Sequence, residues 1–266
     1  MYILFGDETD HNRNQKTTFF VYGALFVHVD SIQNIHDAIE NIRRQFRFGA
    51  EDKLKFSTRS RPKHIDRKNH TELKQKVIEI AQRSGAVFCA QLTLHELAKN
   101  RKHDELVEWG ANTILGAFDS FLQEKGDHGI AILDRMPVTD PYRYLREKFQ
   151  VGLAFPNGSQ KKLDRIVGLA STCDGASNIS SVTDVVLGAF RYCVNEPTRD
   201  EAGRKMFPEV ARLMWHKRTG SKIYLRERGI LLRPKKIRKE EYQRQYDGLV
   251  KRLENYLRGD AIDDLR

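Results

Sequence analysis

MYILFGDETD (residues 1–10) and TTFFVYGALFVHV (17–29) are the stretches that decide the fold. Tyr2 to Phe5 reads as a strand, because an apolar run stops at Gly6 and a polar turn begins. Thr18 to Val29, rich in aromatic and β-branched residues, reads as a second, longer strand. The polar stretch GDETDHNRNQK between them makes the pair a hairpin. Asp7 and Glu8 therefore stand where the first strand ends. A carboxylate there is held on a rigid element and still reaches solvent, as a metal ligand must. The competing reading is a solvated turn, for which Asp and Gly are equally suited.

Working outward, Ser31 is placed to cap a helix running to about Arg44. RQFRFGAEDKLKFSTRSRPKHIDRK (44–68), broken by Gly49 and Pro62, reads as a basic insertion or flexible flap. A helix over 71–83 completes an insertion of about 45–84. From residue 85 the pattern alternates: strand 85–94, helix 104–124, strand 128–133, helix 141–150, strand 164–170 and helix 181–194. Such alternation predicts an α/β domain over 1–198, a mixed sheet flanked by helices with helical crossovers, to which the opening hairpin adds its two strands. Beyond Pro197 the pattern predicts a short helix, a hairpin over 221–234 and a final helix over 240–257, so that residues 199–266 form a basic extension packed on the domain.

Two further acids fall at telling places. Asp134 closes the strand HGIAILD, and if that strand lies parallel to the first, Asp7 and Asp134 leave the sheet at the same carboxyl edge. Asp184 lies early in SVTDVVLGAF, a nearly all-apolar helical segment, where an unpaired buried carboxylate would cost several kcal/mol, roughly, unless a cation or donors compensate it. A helix cap at Ser181, to which Asp184 reaches back, is the alternative. Carboxylates at such a sheet edge suit one or two Mg²⁺ or Mn²⁺ ions, since hard cations prefer oxygen ligands. Two ions about 4 Å apart would activate a water and stabilise the leaving oxygen of a phosphodiester. Lys55, in DKLKFS, is the cation placed to touch phosphate or to stabilise charge in the transition state.

Composition supports a polyanionic partner. Of 266 residues, 46 are Lys or Arg and 36 Asp or Glu, a formal net charge of +10. From Arg199 onward 19 Lys and Arg face 11 Asp and Glu, a net +8. There Lys217, Arg218, Lys222, Arg226, Arg228, Arg233, Lys235 and Lys236, interleaved with Trp215, Tyr224, Tyr242 and Tyr246, suit a surface that tracks phosphates and stacks bases. The alternative is a solvated surface whose aromatics pack on the core. Cys89, Cys173 and Cys193 form no CxxC pair, so neither a disulfide framework nor a thiolate zinc site is expected. His64, His70, His95 and His103 have no zinc-ligand spacing, and there is no Walker loop, GxGxxG or GxSxG. With no cationic leader and no long apolar run, the expected location is the cytoplasm, without a membrane segment.

With these residues assembled, the chain resembles the domain of unknown function 3800 family, whose members open with a strand and Asp-Glu-Ser-Gly. GDETD matches with Asp7 and Glu8, carrying Thr9 for Ser and Asp10 for Gly. KLKF resembles the family's Glu-x-Lys-aromatic motif at Lys55 and Phe56, with Lys53 in place of the glutamate. AILD supplies the Asp after a central strand, and SVTDVVLGA keeps Asp184, Gly188 and Ala189 of a late helical motif. The resemblance implies a ribonuclease H-like fold and a carboxylate site of Asp7, Glu8, Asp134 and Asp184. Glu8, Glu51 and Glu108 are the candidates to replace the missing glutamate. The expected function is a divalent-metal-dependent nuclease or related phosphoryl-transfer enzyme acting on DNA or RNA. Asp7, Asp134 and Asp184 would hold the metal, Glu8 would orient water or a ligand, and Lys55 would assist electrostatically. The alternative is a non-catalytic nucleic-acid-binding or scaffold subunit in a mobile-element or anti-phage system, with a protein partner there.

Overall fold

The computed structural model describes residues 1–9, 17–134, 140–154, 158–173, 175–219 and 222–258, and the polar turn with Asp10 lies outside them. In chain order the elements are β1 (Tyr2–Thr9), β2 (Phe19–His28), α1 (Val29–Gln45), α2 (Arg67–Arg83), β3 (Val87–Leu94), α3 (His103–Lys125), β4 (Gly129–Leu133), α4 (Pro141–Gln150), β5 (Leu153–Ala154), β6 (Gln160–Lys161), β7 (Ile166–Ser171), α5 (Asn178–Asn195), α6 (Asp200–Ala211), β8 (Lys217–Thr219), β9 (Lys222–Tyr224), β10 (Ile230–Arg233) and α7 (Glu240–Leu257).

Six strands form one mixed sheet in the order β10-β3-β2-β1-β4-β7. β2 is antiparallel to β1 and β3, whereas β4 runs parallel to β1, β7 to β4 and β10 to β3. This is the mixed α/β sheet flanked by helices that the alternation of strands and helices led us to expect. The hairpin forms because Tyr2 to Thr9 pairs residue for residue with His28 to Val21. β2 is buried on both faces, in keeping with its unbroken apolar run FFVYGALFV.

Alternation along the strands sorts the core into two layers. Phe5, Val21, Leu25 and Phe88 pack with α1, α2 and α5, while Leu4, Tyr22, Phe26 and Leu133 pack with α3. α5 is buried nearly all round because it lies on β1 and β2 and is itself covered by α1, α2 and α6. Asn195 at its end pins Phe19, donating to the Phe19 carbonyl at 2.8 Å and accepting its amide at 2.9 Å. Phe19 extends past the end of β1, so its backbone groups would otherwise lack a partner on that side.

Four local expectations need correction. α1 is capped by His28 and begins at Val29, ahead of Ser31. α5 is capped by Ser177, whose hydroxyl accepts the Ile179 amide at 3.1 Å, so Asp184 lies in the second turn and belongs to no Ser181 cap. The segment 221–234 is not a hairpin: β9 pairs back with β8, and β10 joins the main sheet beside β3. Finally, the stretch read as a flexible flap is fastened down. Arg43 donates to the carbonyls of Gly49 at 3.4 Å and Asp52 at 3.3 Å, and Leu54 and Ile65 are buried. The apolar residues hidden among its cations explain why composition misled.

Residues beyond 199 are woven into the same core, with Phe207, Leu232, Tyr246 and Leu253 in the α5 layer. No helix of the described residues is long and apolar enough to cross a membrane. The three cysteines are free thiols, Cys89 and Cys193 buried and Cys173 exposed.

Candidate active site

Asp7 lies in β1 two residues after Phe5, on the face covered by α5. The Asp134 amide donates to the Gly6 carbonyl at 2.8 Å, which carries the β1–β4 ladder one residue past β4 and sets Asp134 beside Asp7. Ile132, two residues earlier, packs in the α5 layer, so Asp134 shares the face of Asp7. Asp184 descends from α5 onto the same place. All three line one cavity of about 390 Å³, together with Glu51, Lys53 and Lys55. Residues 7, 134 and 184, remote in sequence, thus surround one space.

Their mutual field is visible at Asp7. Burial, and after it the charges of Glu8, Asp184 and Asp134, push its carboxyl well above the usual carboxylate range, opposed by the Glu8 amide donated to Oδ1 at 2.8 Å. Such a group favours a proton or a nearby cation. The donors, carboxylate oxygens only, suit a hard divalent ion in chemistry. Among the described residues, however, no three His, Cys, Asp or Glu side chains are drawn together closely enough to hold an ion as they stand. The cation beside them belongs to the protein: Lys55 Nζ lies 3.6 Å from Asp184 Oδ1, while Asp184 Oδ2 accepts the Phe56 amide at 2.7 Å.

Glu8 does not line this cavity. Alternation turns it to the α3 face opposite Tyr22, whose fully buried hydroxyl is pushed well above its usual range, first by burial and then by the Glu8 charge. Strand geometry thus turns the two neighbours to opposite faces, while the Glu8 charge still acts on Asp7. Glu108 is also elsewhere, on α3 and 3.4 Å from the buried ammonium of Lys148. Of the acids considered for the missing motif glutamate, Glu51 alone lines the cavity, as does the exposed Lys53.

Several contacts that support the site were not legible in the sequence, although Phe56 and Gly188 stand in the motifs named above. Phe56 docks on Gly188 so closely that a Cβ there would lie 2.5 Å from Phe56 Cγ. The Lys74 ammonium sits 4.3 Å over the Phe56 ring, and the Tyr192 ring is 6.2 Å away. His70, buried, has Nε2 3.2 Å from the Lys55 carbonyl. The Gly-Ala pair inside an apolar helix and the aromatic residue of KLKF were the local signals for this close approach.

The basic tail does not present its cations as one surface. Arg228 pairs with Glu124 and lies over the Trp215 ring at 4.6 Å, while Arg233 and Lys235 both bind Glu227 at 2.9 Å. Lys217, Arg218, Arg226 and Lys236 are exposed and have no ion-pair partner among the described residues. Lys222 belongs to β9. Trp215, Tyr242 and Tyr246 are buried, so the expected stacking of bases on them is corrected: these rings pack the core. The tail also flanks β10, which lies three strands from β1 and hence about 14 Å from it laterally.

No family model matches the sequence, and no curated protein matches it. Solved structures similar to the chain at low level include two ribonuclease H2 structures. The structure of the PCNA:RNase HII complex from Archaeoglobus fulgidus matches at 12% identity and a TM-score of 0.41, covering 76% of this chain and 79% of that one. Ribonuclease H2 from Pyrococcus horikoshii OT3 matches at 14% identity and a TM-score of 0.41, covering 76% and 78%.

Proposed function

We propose that this protein is a divalent-metal-dependent nuclease, or a related phosphoryl-transfer enzyme, that acts on DNA or RNA. One observation carries the reading: Asp7, Asp134 and Asp184, on two parallel strands and a crossing helix, line a single cavity and act on one another electrostatically. Mg²⁺ or Mn²⁺ is the cofactor, with Asp7, Asp134 and Asp184 as its ligands. The ion would supply activation of water and stabilisation of the leaving oxygen. The protein's own groups bring and orient the substrate. Lys55 and Lys53, on the segment that roofs the cavity, offer ammonium groups to a phosphodiester, and the exposed cations of the tail add affinity without sequence choice. The motif order at Asp7, Lys55 with Phe56, Asp134 and Asp184 supports membership of the domain of unknown function 3800 family, and with it a cytoplasmic protein that works with a partner in a mobile-element or anti-phage system.

The test is cleavage of a panel of single- and double-stranded DNA and RNA with Mn²⁺ by the purified protein and by Asp7→Asn, Asp134→Asn and Asp184→Asn. Cleavage reduced by about 10²-fold or more in each variant is expected. Equal cleavage by all of them would overturn the assignment.

A second reading, a nucleic-acid-binding or scaffold module without catalysis, is favoured by the ammonium of Lys55 beside Asp184 and by Lys53 in place of an acid. Calorimetric titration of Mn²⁺ separates the two. Uptake that depends on the carboxylates supports the enzyme, and retained nucleic-acid binding without uptake supports the module.

A further inference from the structure

Lys55 and Phe56 engage both oxygens of one carboxylate: the Lys55 ammonium is 3.6 Å from Asp184 Oδ1, and the Phe56 amide donates to Oδ2 at 2.7 Å. The backbone that carries them is seated firmly. Leu54 is buried, the Phe56 ring fills the notch at Gly188, and His70 Nε2 reaches the Lys55 carbonyl at 3.2 Å. What remains adjustable is the Lys55 side chain, a compact charge on a flexible four-carbon stem with rotatable donors. Its ammonium stands 3.6 Å from Asp184 Oδ1, beyond hydrogen-bond reach, so the pair is held by charge and not by a fixed hydrogen bond.

We propose that Lys55 is the resident counter-cation of the carboxylate cluster, and that a divalent ion entering the cluster displaces it from Asp184 and frees its ammonium for a phosphate of the nucleic acid. The inference rests on the metal reading of Asp7, Asp134 and Asp184 and adds an order of events to it. Without a cation the cluster repels itself, and the ammonium relieves that repulsion while the ion is absent. A divalent ion relieves it more strongly, and the ion and Lys55 compete for the Asp184 carboxylate, one oxygen of which accepts the Phe56 amide. Linkage makes the effect reciprocal. An ion that expels Lys55 raises the affinity for phosphate, and a phosphate that draws Lys55 away raises the affinity for the ion by the same factor.

The test uses the full chain without nucleic acid, titrated with Mn²⁺ by calorimetry as wild type, Lys55→Met and Lys55→Arg. Removing the competitor is expected to tighten Mn²⁺ binding about two- to fivefold in Lys55→Met, and Lys55→Arg is expected to stay near the wild type, because a guanidinium also pairs with Asp184. Mn²⁺ binding in Lys55→Met equal to or weaker than in the wild type would overturn the inference and leave the metal reading intact. Absence of Mn²⁺ uptake in every form would overturn the metal reading and the inference with it. A second measurement follows affinity for a short phosphorothioate single strand with and without Mn²⁺. The ion should strengthen binding more in the wild type than in Lys55→Met, where only its own attraction for phosphate remains, and an equal gain in both would also overturn the exchange.

Discussion

The Phe56 amide donates to Asp184 Oδ2 at 2.7 Å, joining residues 128 positions apart. It ties the basic insertion to the buried helix that crosses the sheet. The insertion thereby becomes a wall of the carboxylate cavity, and Lys55 is delivered to it by a seated backbone.

That delivery depends on Gly188. A Cβ at this position would lie 2.5 Å from Phe56 Cγ, so Gly188→Ala must push Phe56 out of its notch. Overpacking of this kind costs about 1–3 kcal/mol. We expect a lower urea midpoint, unchanged far-ultraviolet circular dichroism, and faster amide exchange over residues 53–57 than in the wild type. Unchanged exchange there would show that the notch does not hold the segment.

Asp7 should weaken the protein in the absence of metal. Its carboxyl is raised above the ordinary 3.8, first by burial and then by Glu8, Asp184 and Asp134. A raised carboxyl favours the folded state while it is protonated. That stability is complete below the unfolded value and is lost as pH rises through the folded one. In chelator, Asp7→Asn should therefore melt higher than the wild type at neutral pH, with the gap closing towards acid, and it should lose the stabilisation that Mn²⁺ confers. A gap independent of pH would contradict this.

His70 should act in the opposite direction. Burial, followed by the Lys74 charge, lowers its pKa from 6.5, with the Lys55 carbonyl opposing. A depressed histidine contributes stability that is complete above the unfolded value and is lost as pH falls through the folded one. The wild type should lose melting temperature below about pH 6.5 more steeply than His70→Asn, whose amide can still donate to the Lys55 carbonyl. Parallel curves for the two proteins would remove His70 from the account.

The cations of the tail should divide into two kinds. Gln at Lys217, Arg218 and Lys236, all exposed, should reduce the slope of log affinity against log salt by up to about 0.9 for each duplex phosphate that is no longer neutralised. Arg228→Ala should instead cost about 1 kcal/mol of stability with little change of slope, since Arg228 is occupied by Glu124 and by the Trp215 ring. A slope that responds equally to both substitutions would refute the division.

The strand pattern was legible because it is local. Tyr2 to Phe5, the long run from Phe19, and the strands ending at Leu94 and Leu133 each announce themselves by their own side chains. The short β5–β6 pair, the parallel placement of β10 and the burial of Trp215 and Tyr246 were not legible, because partners far along the chain decide them. Glu8 shows the same limit within a single element. Its neighbourhood with Asp7 is a fact of sequence, and its turn to the opposite face follows only once β1 has a fixed pleat between two helical layers.

By itself, then, the sequence determined which elements could form and which acids stood at their ends, since periodicity and charge are properties of short stretches. Tertiary structure alone decided that Asp7, Asp134 and Asp184 share a cavity, that Glu8 and Glu108 do not, and that Lys55 stands beside Asp184. The physical reason is that Coulomb interaction and packing depend on distance in space, and strand order, helix crossing and the fit of Phe56 on Gly188 set those distances.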